Sequence, residues 1–297
     1  MLACSDDTKP PAADTTTGSD RGTPGADRGV GFDGAGAADT GTMGDASDGG
    51  GVGDAAGGDS ASPAAIWRPK PGTSWQWQLS GTLDTSINVA MYDIDLFDTA
   101  AATIQALHTQ GRVVICYFSA GSYEDWRPDA SSIPAAARGK KLDGWNELWL
   151  DVRHAGVRDV MKKRLALAKQ KGCDGVEPDN VDGYANDNGF GLAASDQLAY
   201  NRFLADEAHK LGLSVGLKND LDQVKALVAS FDWALDEECA QYDECDLLKP
   251  FIAAGKAVFH VEYTPTNETK VCSVSKQLGL DTLIKRLELD AWRKTCP

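Results

Sequence analysis

Short apolar runs recur along this chain, and most are separated by stretches of helical periodicity. That alternation constrains the fold more than any other feature, because strands linked through helices pair in parallel. Runs at residues 74–79, 89–95, 112–119, 148–152, 172–179, 213–219, 231–237 and 257–263 read as strands. The run at 112–119 is continuously apolar, as expected of a strand buried on both faces. Helical spacing covers 100–110, 155–171, 195–211, 221–229, 246–254 and a closing segment within 275–292. Eight short strands alternating with helices predict an α/β chain folded as a (β/α)8 TIM barrel. The first two strands stand too close together for a full helix between them. A doubly wound open sheet is the alternative, but no glycine-rich phosphate loop follows the first strand.

The pattern begins abruptly near Ile66. Residues 1–65 hold eleven Asp against three Lys or Arg, and so carry −8 of the formal charge of −15. They are rich in Gly, Ala, Asp, Ser and Thr, with Phe32 as their only aromatic. Such a segment cannot bury enough apolar surface to offset chain entropy. The expected organisation is a disordered, flexible tether over 1–65 and a folded domain over 66–297. Met1-Leu2-Ala3-Cys4-Ser5 resembles the end of a bacterial lipoprotein signal, in which Cys4 would be lipidated, although no basic region or apolar core precedes it. That resemblance implies a secreted or surface-tethered bacterial lipoprotein. No stretch approaches the ~20 apolar residues of a membrane span, so membrane contact is expected only through such an anchor. No nucleic-acid partner is expected, and the domain is expected to act as a monomer.

Seven cysteines are present. Cys239 and Cys245 fall close together in a loop, and Cys272 and Cys296 flank the last helix. Both read as pairs stapling loops in an oxidising compartment. Cys116 and Cys173 lie within apolar strand patterns and read as buried thiols, with their oxidation state open. No C-x-x-C pair occurs and the four His are scattered, so no metal site and no cofactor is expected.

In a barrel of this kind the active site lies at the C-terminal strand ends. Those ends hold Trp77, Asp93, Asp95, Tyr117, Ser119, Asp151, Glu177, Asp179, Lys218, Asn219, Asp236, Glu237, Glu262 and Tyr263. The sharpest signal is Glu177-Pro178-Asp179-Asn180. Alternate side chains of a strand share a face, so Glu177 and Asp179 can point the same way. Paired carboxylates among aromatics are what glycosidic hydrolysis needs. One acid protonates the leaving oxygen, and the other carboxylate attacks the sugar or activates water. Crowding raises one pKa and keeps a proton available. Plainer roles compete at several positions. Asp93 and Asp95 fit helix capping as well as ligand binding, and Asp182 reads as structural. Lys218 reads as a salt-bridge partner of Asp179 or Glu177 rather than a nucleophile. Tyr117 and Trp77 fit barrel packing, Glu262 fits a supporting acid, and His260 reads as a satisfied core histidine.

Several motifs recur in one order over residues 67–297. They are Cys116-Tyr117-Phe118-Ser119-Ala120-Gly121-Ser122-Tyr123-Glu124, Trp149-Leu150-Asp151-Val152-Arg153, the stretch from Gly175 to Tyr184, Gly216-Leu217-Lys218-Asn219, Glu237-Glu238-Cys239 and Val261-Glu262-Tyr263. Together they resemble glycoside hydrolase family 114. The resemblance implies a TIM-barrel endo-α-1,4-polygalactosaminidase acting on galactosamine polymers, including partly N-acetylated galactosaminogalactan. It implies a catalytic pair at Asp179 and Glu237. Sugar subsites are expected from Trp77, Asp93, Tyr117, Ser119, Asp151, Glu177, Asn180, Lys218, Asn219, Asp236, Glu262 and Tyr263. The family often carries Asn before the second acid, where this chain has Asp236, so Asp236, Glu237 and Glu238 all remain contenders for that role. An acidic mouth suits a cationic amino-sugar chain. The competing expectations are a carbohydrate-binding barrel without turnover and a metal-dependent polysaccharide deacetylase.

Overall fold

The computed structural model describes residues 65–297; the expected tether and Cys4 lie outside the described residues. One curled sheet holds nine strands in chain order, a short antiparallel Lys294–Thr295 at its end and eight parallel strands before it. They are β1 Trp75–Gln78, β2 Met91–Asp95, β3 Val113–Ser119, β4 Gly175–Asp179, β5 Ser214–Lys218, β6 Trp233–Glu237, β7 Val258–Tyr263 and β8 Asp281–Lys285. The helices are α1 Ala101–Thr109, α2 Ala155–Lys171, α3 Ala194–Lys210, α4 Val224–Leu227, α5 Lys249–Ala253 and α6 Glu268–Leu278. Among the described residues no helix joins β1 to β2. β1 and β8 share no backbone ladder among these residues. Instead the Trp75 indole donates to the Asp281 carbonyl at 2.9 Å, and Leu79 N donates to Leu289 O at 3.0 Å. The architecture thus resembles a TIM barrel whose last seam is bridged by a side chain and a loop.

Strand alternation builds two cores from one sheet. Met91, Ile115, Trp233, Leu235, Phe259, Val261 and Leu283 face inward, where Trp75 and Trp77 join them. Their neighbours Tyr92, Val114, Cys116, Ala234 and Val258 face outward, against α-helical Ile104, Leu107, Met161, Leu165 and Leu204. The inner core is aromatic: Phe259 lies 4.8 Å from Trp75 and 5.4 Å from Trp233, centroid to centroid. Gly216 makes the room for this packing, since a Cβ there would meet the Trp233 ring at 2.3 Å.

Two sequence expectations are corrected, and they offset each other. Residues 148–152 do not join the main sheet. Leu148–Leu150 is the middle strand of a small antiparallel sheet with Ser122–Tyr123 and Arg138–Lys141. The eighth parallel strand comes instead from β8, inside the segment expected to be the closing helix. Gly279, with φ 71°, ends α6 one residue after Leu278 and frees the chain to extend. Cys116 and Cys173, whose oxidation state is open from sequence, form a disulfide with Cα atoms 6.0 Å apart, tying β3 to the turn before β4. Cys239–Cys245 and Cys272–Cys296 are bonded as expected.

The segment from residue 120 to 154 is an insertion over the rim, and buried ions seat it there. Arg127 reaches Asp95 at 2.8 and 3.0 Å and Glu124 at 2.8 Å, while Arg164 on α2 holds Asp129 at 2.9 Å and the Ser119 carbonyl at 2.7 Å. Asp95 also accepts from Phe97 N at 2.8 Å and Asp98 N at 2.9 Å, a turn-capping role.

Candidate active site

The C-terminal strand ends surround a cleft of about 390 Å³, within the usual size for a small-ligand site. Its floor is organised by Lys218, the last residue of β5, only 2% exposed. The Lys218 ammonium lies 3.1 Å from Glu177 Oε1, 3.2 Å from Asp179 Oδ1 and 3.0 Å from Glu237 Oε2. It also stands 4.8 Å over the Trp77 ring, a cation–π contact strengthened by desolvation. Burial disfavours its charge, but Asp179, Glu237 and Glu177 outweigh burial and hold its pKa well above the ordinary lysine value.

Each acid has further donors. Asp179 accepts from Tyr117 OH at 2.9 Å and from Asn180 N at 2.7 Å. Glu237 accepts from Asn219 Nδ2 at 3.2 Å and from the Tyr263 hydroxyl, and Asn219 Oδ1 takes the Glu237 N–H at 3.0 Å. Glu177 accepts from Trp77 Nε1 at 3.0 Å. Burial pushes Glu177 up to about 7 against the opposing pull of Lys218. Burial, then Asp179, raises Tyr117; burial, then Glu237, raises Tyr263. Both phenols therefore stay protonated and available as donors.

The turns after these strands are tight. Asn180, Asn219 and Glu238 all have positive φ, at 59°, 48° and 62°; Asn tolerates this region better than most residues. The chain crosses Asn180 so closely that a Cβ on Gly121 would sit 1.7 Å from its carbonyl oxygen. Asn180 Nδ2 donates to Ser119 Oγ at 2.9 Å, Ser119 and Ser122 hydroxyls lie 2.5 Å apart, and Ser122 Oγ donates to Glu147. A hydrogen-bonded chain thus runs from the cleft wall to the residue beside Asp179.

Of the residues expected from sequence, Trp77, Tyr117, Asp179, Asn180, Lys218, Asn219, Glu237 and Tyr263 line the cleft. Asp93 and Glu177 are fully buried beneath it. Ser119 is buried behind Asn180. The structure does not bring Asp151, Asp236 or Glu262 to the cleft lining. Asp151 holds Arg153 Nε at 2.8 Å ahead of α2. Asp236 faces away from Glu237 across the sheet, and burial, then Glu237, raises its pKa well above the ordinary value. Glu262 accepts from Ala240 N at 2.8 Å, Gln241 N at 3.2 Å and His260 Nε2 at 3.0 Å. Sequence reading missed the contribution of the insertion: Asp143, Trp145, Glu147 and Trp149 form one wall, and Leu287 and Leu289 join from the loop after β8. Trp145 is 51% exposed, and an exposed tryptophan in a loop dense in aromatics was the available signal. Asp182, expected as structural, also lines the cleft, raised to about 6 by burial and then by Asp179.

The lining is strongly acidic. Among the described residues six carboxylates face one basic side chain, Lys218, which is already shared among three acids. Cys239, Cys245 and His260 place potential ligand atoms within 4.8 Å of one another, but the two sulfurs are joined in a disulfide and offer no thiolate.

A model of the glycoside-hydrolase family GH114 matches residues 57–297. Among solved structures, the chain is similar to Aspergillus fumigatus Ega3, determined in complex with galactosamine. The two share 42% identity over 80% of this chain and 100% of that one, with a TM-score of 0.75. The glycoside hydrolase domain of PelA from Pseudomonas aeruginosa aligns over 75% of this chain and 98% of that one with a TM-score of 0.61; at 17% identity it shares the fold alone. No curated protein matches the chain.

Proposed function

The chain belongs to glycoside-hydrolase family GH114 and is a glycosidase, and on that premise we propose that it cleaves α-1,4-linked galactosamine polymers internally, with Asp179 and Glu237 as its carboxylate pair. The observation that carries this reading is the single ammonium of Lys218 held between Asp179 and Glu237 at the cleft floor. Those two contacts put the nearer carboxylate oxygens at most about 6 Å apart, which is compatible with the ~5–5.5 Å carboxyl spacing of a retaining enzyme. Asp179 is assigned as the nucleophile, because the Asn180 backbone N–H and the Tyr117 hydroxyl both donate to its carboxylate and fix it at the cleft floor. Glu237 is the acid/base. Its Tyr263 partner is a hydroxyl rotor that can donate to the carboxylate or accept from the carboxylic acid. Asp179 attacks the anomeric carbon as Glu237 protonates the leaving oxygen. Glu237 then takes a proton from the water that releases the sugar.

The acidic lining supports a cationic, deacetylated chain as substrate. Ega3 was determined with galactosamine bound, which supports the same sugar here. Trp145 offers a sugar platform, and Tyr117, Asn180 and Asn219 complete the floor. The bridged seam between β1 and β8 supports a closed (β/α)8 barrel, and three disulfides support a role outside the cytoplasm. The test is reducing-end release from deacetylated and acetylated α-1,4-galactosamine polymer. Release from the deacetylated chain is expected, and Asp179→Asn and Glu237→Gln should each lower it by at least about 1,000-fold with folding intact. Binding without release by the wild type would sink the reading, and a wild-type rate in either variant would sink that residue's role.

A further inference from the structure

One carboxyl group under the cleft has no part in the reaction above. Asp93 lies in β2, opposite Trp77 in the β1 register, and is fully buried. Among the described residues no N–H group donates to either of its oxygens. The charge that weighs most on it is that of the Glu177 carboxyl, which is likewise fully buried under the cleft. Glu177 is served differently: the Trp77 indole reaches one oxygen at 3.0 Å and the Lys218 ammonium the other at 3.1 Å.

Two neighbouring carboxyl groups can share a hydrogen bond only when one of them keeps its proton. Two buried anions side by side also repel strongly, and the one ammonium near them is already divided among Glu177, Asp179 and Glu237. The donors decide which acid keeps the proton. Glu177 has an indole and an ammonium to stabilise its charge, and Asp93 has neither. Resting on the assignment of Asp179 and Glu237 made above, we propose that Asp93 is a positioning residue held as a neutral acid, whose O–H fixes Glu177 under Lys218 and so sets the ammonium between the two catalytic carboxylates. Burial and then the Glu177 charge push the Asp93 carboxyl well above the ordinary aspartate range, with Lys218 opposing and Asp179 adding to it.

Asparagine keeps a neutral donor of the same shape at this position, whereas leucine keeps bulk and removes the donor. Asp93→Leu is expected to lower kcat on galactosamine polymer about ten- to hundredfold with KM nearly unchanged. Asp93→Asn is expected to restore kcat to within about threefold of wild type. An asparagine variant as impaired as the leucine variant overturns the proposal, because the site would then need the charge rather than the proton. Should the leucine variant not fold, the infrared difference spectrum of wild type minus Asp93→Asn at neutral pH decides. A carboxylic-acid carbonyl band present only in the wild type supports the neutral acid; no such band overturns it. That spectrum needs no substrate, so its outcome does not depend on whether the polymer assay upholds the proposed function.

Discussion

Lys218 is a buried cation surrounded by acids, and its energetics are those of a group that is costly to place and costlier to remove. Replacing it with methionine leaves Glu177, Asp179 and Glu237 close together without a counter-charge. Breaking a buried ion pair from one side costs about 3–5 kcal/mol. Lys218→Met should therefore lower unfolding free energy by about that amount and kcat by at least about 100-fold. Denaturant titration and initial rates would show it, and wild-type values in both would contradict the hub. Arginine is no rescue, since a planar fork does not replace a point charge held at three oxygens. Strand parity decides much else at this scale. Trp233, Leu235 and Glu237 alternate inward along β6, so Asp236 must face out; Phe259, Val261 and Tyr263 do the same along β7 and turn Glu262 away. That separation was already legible once the inward face was identified. The donors that Asn219 and Tyr263 bring to Glu237 were not, because they depend on how neighbouring strands pair.

At the scale of elements, the insertion between β3 and α2 supplies what the sheet lacks. It brings a half-exposed tryptophan to a floor of charges, and aromatic faces bind the apolar faces of sugars. Trp145→Ala should raise KM for the polymer about five- to twentyfold while kcat changes little, because the platform binds ground and transition states alike. A fall in kcat with unchanged KM would place Trp145 in the chemistry instead. The insertion also explains where the sequence misleads. Leu148-Trp149-Leu150 is as apolar as a barrel strand, yet it pairs antiparallel within the insertion. β8 hides because the leucines and isoleucine from 278 to 287 also fit a helical stripe. Gly279 was the signal that the helix stops there, and only pairing with β7 turns the following residues into a strand. The Cys116–Cys173 bond was illegible for the same reason: 57 residues separate the sulfurs in sequence, and only the sheet brings them together.

Across the molecule, buried acids set the response to pH. Burial, acting before any neighbouring charge, raises Asp220 to about 8, Glu124 to about 7 and Asp281 to about 6. Each of these groups holds a proton in the fold that the unfolded chain has already released. The stability it contributes is present below the unfolded pKa and is lost as pH rises through the folded one. The unfolding midpoint should therefore be several degrees higher near pH 5 than near pH 8, measured by calorimetry; an equal or higher midpoint at pH 8 would contradict it. Asp232 works in the opposite sense. Burial raises it, but His209, Val215 N and Arg68 hold it below the ordinary value, so its contribution is lost only under stronger acid.

The imbalance of six carboxylates to one ammonium in the cleft makes that surface an ion exchanger. On the proposed function, a cationic polymer entering the cleft would displace the counter-ions that such an acidic wall draws from the buffer. Added salt shortens the reach of the field and refills the wall. KM should climb with ionic strength, by about tenfold between ~0.05 and ~0.5 M monovalent salt, while kcat holds steady. On that reading the groove should grip its chain in dilute water and let it go in brine.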